Sequence, residues 1–269
     1  MRCVGAGPGD VPDRRPHGLA LLACLALLLL GTTAMPATEI DHGPWDRLLR
    51  THVDERGRVA YRDLAARDRA VLTEYLASLA AVDAGALPRD AAKAFWINAY
   101  NAAVVSAILE GYSAESFFRR RALFKRFTVE VAGKKRTLDE IEHEIIRPTY
   151  RDPRTHAALV CASSSCPRLR RAAYTAADLE HVLDEEMRLF VTDRSRNVID
   201  PAAAEVRLSA IFSWFGEDFV AEAGSVAAYV GRWVATDAEL ALLRTKADDL
   251  EFLDYDWSLN AQPGQRPDA

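Results

Sequence analysis

AAKAFWINAYNAAVVSAIL, residues 91–109, decides the reading of the fold. It is almost wholly apolar and holds no Gly or Pro, which fits a helix buried on every side. Working outward, the whole N-terminal half reads as helical. Trp45, Leu48, Leu49, His52 and Val53 fall at helical spacing and stop at Arg56-Gly57. Leu64, Val71, Leu72, Tyr75, Leu76 and Leu79 suggest another helical stretch. After Gly111 the pattern changes. Phe127 to Val131 alternates, Ala132-Gly133-Lys134 is a turn, and Lys135 to Thr137 can pair back as a hairpin. Thr137 or Asp139 caps a short helix running to Arg147, where Pro148 stops it. Ala157 to Cys161 reads as a short buried strand closed by a Ser-rich loop. Thr175 and Asp178 open an amphipathic helix through about Val191. Val198-Ile199 and Val206-Leu208 flank a turn, and helices follow around 211–219 and 226–235. A last strand is expected near Phe252–Tyr255 and a disordered tail from Gln262. Helices gathered first, with hairpins later, indicate an α+β fold and not a doubly wound sheet.

The start of the chain has another character. Arg14, Arg15 and His17 precede an apolar run from Leu19 to Leu30, followed by small residues up to Ala37. That order describes a secretory signal peptide, and the run is short for a membrane span, which needs ~20 apolar residues. Leu21-Leu22-Ala23-Cys24 resembles a lipoprotein cleavage pattern, but six more apolar residues follow Cys24, which therefore reads as part of the run. Cleavage near Ala37 leaves a single domain over 38–261, exported to the periplasm or beyond the cell. The net charge of −5, with no basic stripe, argues against nucleic acid as partner. Cys3 and Cys24 leave with the leader, so Cys161 and Cys166 remain. In an oxidising compartment they can be a disulfide, a reactive thiol pair or two inert thiols.

Three polar clusters could carry chemistry. Cys161-Ala162-Ser163-Ser164-Ser165-Cys166-Pro167 places two thiols and three hydroxyls where a buried segment turns outward. A thiolate there is a competent nucleophile if a cation or histidine lowers its pKa, and Arg168, Arg170 and Arg171 lie close in sequence. In Asp139-Glu140-Ile141-Glu142-His143, residues 139, 143 and 147 share one stripe of a regular helix. Asp139 would then orient His143 as a base, with Arg147 beside it and Glu142 among core residues needing a partner. Asn98 and Asn101 lie three apart on the apolar helix; they either tie a loop to the core or support a reacting group. His156 would point away from Cys161 on a regular strand, and His42, His52 and His181 read as ordinary surface residues. No HExxH, P-loop or GxGxxG appears, so no metal or nucleotide cofactor is expected.

At these residues the chain resembles a known family. Residues 94–102, Leu138 to Pro148, Leu159 to Leu169 and Tyr255 to Asn260 look like marker segments of the domain of unknown function 547 family, as does Val59-Ala60-Tyr61. Ala162 stands where a glycine would also look familiar. The resemblance implies a domain without an assigned reaction. In some longer chains that domain resembles a partner of glutaredoxin-like modules, which points toward thiol chemistry. The order of helices, thiol loop and His/Asn residues is also similar to papain-like or transglutaminase-like enzymes, at the level of fold analogy only. The expected activity is that of a thiol-dependent hydrolase or acyl-transfer enzyme acting on a peptide or small molecule. Cys166 or Cys161 would be its nucleophile and His143 its base. The alternatives are a non-catalytic binding module with a disulfide-stapled loop, whose arginines attract an acidic ligand, or a thiol–disulfide exchange protein.

Overall fold

The computed structural model describes residues 40–267, and the expected signal peptide lies outside them. Helices α1 (Gly43–His52), α2 (Tyr61–Arg67), α3 (Arg69–Ala80) and α4 (Arg89–Leu109) make up the first half. Helix α4 is buried along almost its whole length, as an all-round apolar sequence requires. Helix α5 (Phe117–Lys125) is held by the Ser116 hydroxyl, which accepts from the Arg119 backbone N–H. Sequence periodicity misses α5 because three arginines interrupt it and only Leu123 is buried. Strands β1 (Thr128–Val131) and β2 (Lys134–Thr137) pair antiparallel through the expected turn. Its Ala132 and Gly133 take positive φ, 49° and 73°, as a two-residue hairpin turn demands.

A π-helix over Glu140–Ile146 follows and runs into α6 (Arg147–Tyr150). Then come α7 (Thr155–Ala158), the thiol loop and α8 (Leu179–Thr192). Strands β3 (Val198–Asp200) and β4 (Glu205–Leu208) form the second expected hairpin, and β5 (Glu251–Phe252) adds parallel to β4. Between β4 and β5 lie α9 (Ala210–Trp214), α10 (Gly216–Ala223), α11 (Val226–Val230) and α12 (Asp237–Thr245). The last of these, unanticipated, opens on a Thr236/Glu239 capping box. Among the described residues, two small sheets and twelve α-helices make this an α+β fold.

Residues 157–161 are not the expected strand. Thr155–Ala158 is a helical turn, and the segment after it makes no strand pairing. The backbone groups that a ladder would satisfy are taken by Asn101 instead. Its amide donates to the Ala158 carbonyl at 2.9 Å, and its carbonyl accepts from the Val160 N–H at 2.9 Å. This crossing divides two apolar clusters. Ala158, Leu159, Val160, Ala162 and Cys166 pack with α1–α4, whereas Ala157 packs with Phe190, Ile199, Phe212 and Phe219. His156 and Cys161 thus stand on either side of a seam between clusters, a common place for a pocket.

The C-terminal segment closes over the same loop. Ser164 N–H donates to the Ser258 carbonyl at 2.8 Å, and Asn260 N–H to the Ala162 carbonyl at 3.1 Å. Asn260 also accepts from the Tyr61 hydroxyl at 2.8 Å, which ties the loop to α2. Residues read from sequence as a loose tail are held in turn: Gln262 donates to the His52 and Arg58 carbonyls, and Arg266 pairs with Glu115 at 2.6 Å.

Candidate active site

The thiol loop is a tight turn that leaves Cys161 half-buried and Cys166 almost fully buried, both lining one cleft. Ala162, buried between them, takes φ +62°, a left-handed conformation that costs a residue with a Cβ roughly 1–2 kcal/mol. Backbone strain of this kind gathers where a fold must aim a side chain. Ala162→Gly should therefore be tolerated to within about 1 kcal/mol. Ala162→Val should destabilise by clearly more than that, because a β-branched residue suits this region worst. Thermal melts of the two variants check the ordering.

Cys161 is half-buried and Cys166 is 2% exposed, and both are free thiols. The disulfide admitted as one alternative is not formed. The two sulfurs lie 2.9 Å apart, and the Cys161 N–H also donates to the Cys166 sulfur at 2.9 Å. Ser163 Oγ stands 3.0 Å and Tyr255 Oη 3.3 Å from the Cys161 sulfur. Hydrogen bonding from Cys166 lowers the Cys161 thiol most. Burial works against it, Ser163 and Tyr255 add to it, and the outcome is a pKa of about 7. Burial pushes the Cys166 thiol well up and does the same to the Tyr255 hydroxyl, so both stay protonated and remain donors. Of the two thiols Cys161 is the more acidic and the less buried, and Cys166 is its hydrogen-bonding neighbour.

Cys161 opens into a cleft of ≈ 330 Å³, also reached by His143, His156, Glu142 and Asp139. Its apolar wall comes from α5, α9 and the C-terminal segment, where Trp214, Tyr255 and Trp257 rings stack or tilt together within 4.5–5.6 Å. The Arg120 guanidinium lies 3.8 Å over the Trp257 ring.

The two histidines take opposite roles. On the π-helix the backbone turn is widened, with the Arg147 N–H bonded back to the Glu142 carbonyl, five residues earlier. Residues 139, 143 and 147 still lie near one another, but the expected hydrogen bond from Asp139 to the imidazole is not made. Asp139 stays 3.9 Å from His143 Nε2 and pairs with Lys125 at 2.9 Å, so it does not orient the imidazole. Arg147 Nη1 instead donates to His143 Nδ1 at 3.0 Å. An arginine can only donate, so His143 keeps its proton on Nε2 and has no free lone pair with which to act as a base. Its Nε2–H is a donor.

His156 carries the same Nε2–H tautomer, but its Nδ1 accepts no hydrogen bond among the described residues. Its Nε2 lies 2.7 Å from Asp218 Oδ2 on α10, and its ring stacks on Phe215 at 4.1 Å. An ionised carboxylate accepts, so Nε2 bears the proton and Nδ1 keeps a free lone pair. Burial opposes the charge on Asp218, but hydrogen bonds from His156 and Arg147 prevail and hold its carboxyl well below the usual range. Arg147 grips Asp218 at 2.8 and 3.1 Å and Glu217 at 2.9 Å, so one guanidinium joins both histidines' supports. Because the folded pKa of Asp218 is depressed, its contribution to stability is present above about pH 4 and lost as pH falls further. Asp218→Asn should therefore flatten the acid limb of the stability–pH curve below pH 4. An unchanged limb would contradict this assignment.

Other expected site residues resolve differently. Glu142 has the partner it needed, the Tyr100 hydroxyl at 3.0 Å, and lines the cleft. Asn98 and Asn101 do not line it: Asn98 clasps the Tyr174 backbone at 2.8 and 3.0 Å, as Asn101 does residues 158 and 160. Both are ties from loop to core. Arg168 is bidentate to the buried Glu186 at 2.8 and 2.9 Å, Arg170 donates to the Ala173 carbonyl, and Arg171 pairs with Glu55. These arginines are committed to structure and are not among the residues lining the thiol cleft. Sequence reasoning missed Asp218, Trp214 and Phe215 entirely; the run Trp214-Phe215-Gly216, aromatic and breaking a helix, was the one available signal.

Residues 85–191 match the family model described as Protein of unknown function, DUF547. The match spans α4, α5, the first hairpin, the π-helix and the thiol loop, and it supports the resemblance carried by the marker segments. No curated protein and no solved structure matches the chain. The papain-like likeness is a fold analogy only.

Proposed function

We propose that this protein is a cysteine-dependent hydrolase or acyl-transfer enzyme, with Cys161 as nucleophile, His156 as general base and His143 as hydrogen-bond donor. One observation carries the reading: an acidified, partly accessible thiol opens into the same cleft as a histidine whose free nitrogen is fixed by a carboxylate. The Cys161 proton passes to His156 Nδ1. The sulfur then bonds to the acyl carbon while the carbonyl electron pair moves onto oxygen. His143 lines the same cleft, and its Nε2–H is a donor suited to that oxyanion. Collapse expels the leaving group, which takes the proton from His156 and leaves a thioester on Cys161. Water or an acceptor alcohol or amine, deprotonated by His156, then releases the acyl group and restores the thiol. Asp218 and Arg147 are positioning residues.

An activated acyl ester tests this by intact mass. The expected result is a single acyl adduct on Cys161, absent in Cys161→Ser and forming at least tenfold more slowly in His156→Ala. Absence of any adduct on the wild-type protein would refute the reading. Export belongs to the same reading and rests on the leader pattern of residues 14–37. N-terminal sequencing of protein recovered outside the cytoplasm should begin near Thr38; an intact Met1 would contradict it.

A second reading, thiol–disulfide exchange, is favoured by the 2.9 Å separation of the two sulfurs. The CxxxxC spacing is unlike the usual redox pair, and the histidine–carboxylate arrangement has no part in such chemistry. Cys166→Ser separates the two: it abolishes exchange but leaves acylation of Cys161 measurable.

A further inference from the structure

The N-terminal end of α5 departs from the rest of the surface. Phe117 and Phe118 are 65% and 81% exposed and pack edge to face on each other at 5.5 Å, with nothing covering them among the described residues. Trp214, 48% exposed, lines the same cleft as Phe117. Behind these rings stand Arg119, Arg120, Arg121, Lys125 and Arg126, in a chain whose net charge is −5. Lys125 is paired with Asp139, and Arg120 stacks on Trp257 and donates to the Ala114 carbonyl. Arg119, Arg121 and Arg126 are exposed and form no ion pair among the described residues. The nearby Glu115 is occupied by Arg266.

We propose that this end of α5 docks the mouth of the thiol cleft onto an anionic lipid surface. Two protruding aromatic rings beside unpaired guanidinium groups suit a lipid surface: the rings can enter the headgroup boundary while the cations meet lipid phosphates. Area favours lipid over a folded protein partner. Two phenylalanine rings bury at most roughly 500 Å², well short of the ~800 Å² per partner of a stable protein interface, whereas an interfacial anchor needs only a few such groups. Resting on the acyl-transfer reading, the consequence is that acyl substrates arrive from that surface along the Phe117–Trp214 wall. The docking itself stands without any chemistry.

Co-sedimentation with vesicles tests it on the full chain, so that the apolar segment 19–30 contributes equally to every variant. The vesicles are phosphatidylcholine alone, or phosphatidylcholine with one quarter phosphatidylglycerol. Wild-type protein should bind the anionic vesicles at least tenfold more strongly than the neutral ones and lose most of that binding in 0.5 M NaCl. The double variant Phe118→Ser/Arg119→Glu, neither residue lining the cleft, should bind the anionic vesicles at least tenfold less. Its Cys161 alkylation should match wild type, which shows the fold intact; if it does not, Arg126→Glu serves in its place. Equal binding by wild type and variant, or no preference for anionic vesicles, overturns the proposal. So does binding to a soluble acidic polypeptide without binding to vesicles. None of these outcomes bears on whether Cys161 forms an acyl adduct.

Discussion

Cys166→Ala is expected to move the alkylation midpoint of Cys161 from about 7 to about 8.5 or higher. The largest influence lowering the Cys161 thiol is the hydrogen bond from Cys166, while burial acts in the opposite direction. With that donor removed, burial is opposed only by Ser163 and Tyr255, and the thiol returns at least to the ordinary cysteine range of about 8.5. The labelling rate at pH 7 falls less than the thiolate fraction does. That fraction drops on the order of fifteenfold, but a more basic thiolate is also a better nucleophile by several-fold. The net slowing is about threefold, so the midpoint is the better readout. Cys166→Ser, which keeps a donor, should fall between the two. Measured by pH-dependent alkylation, a midpoint unmoved in Cys166→Ala would mean that Cys166 does not acidify its neighbour.

Asn101→Ala is expected to destabilise the protein by about 2–5 kcal/mol, because it orphans two buried backbone groups, the Ala158 carbonyl and the Val160 N–H. For a chain of this size that lowers the melting temperature by on the order of 5–15 °C. The same change should disturb the thiol, since Asn101 holds the segment leading into Cys161. Asn101→Asp keeps the acceptor for Val160 and sets a carboxylate against the Ala158 carbonyl, so it should rescue little. A melting temperature within about 2 °C of wild type in Asn101→Ala would show that the crossing is satisfied in some other way.

These two residues also mark how far sequence reaches. The buried helix holding Asn101 was legible because nineteen residues without Gly or Pro permit little else, and buried amides must find partners. Both hairpins were legible from alternation and turn residues. The Cys161–Cys166 loop was legible as a candidate site, but which of its thiols is the more acidic was not. That follows from burial and from three donors, one of them Tyr255, far along the chain. Asp139 does stand near His143, at 3.9 Å, but its close partner is Lys125, a contact from another helix that the spacing within one helix cannot show. His156 was set aside because residues 157–161 looked like a strand, and the Asn101 clasp that replaces the ladder has no local signature. Asp218 lies sixty-two residues from His156, on a helix whose sequence carries no mark of the contact.

The proposed chemistry requires Cys161 to be the ionised thiol of the pair. Alkylation of the non-reduced protein across pH 5 to 10, resolved by peptide mass, measures this directly. The prediction is one rapid site, Cys161, with a midpoint near 7, and no modification of Cys166 until the protein unfolds. Labelling of Cys166 first, or a Cys161 midpoint at 8.5 or above, would contradict it, as would labelling of neither residue before reduction.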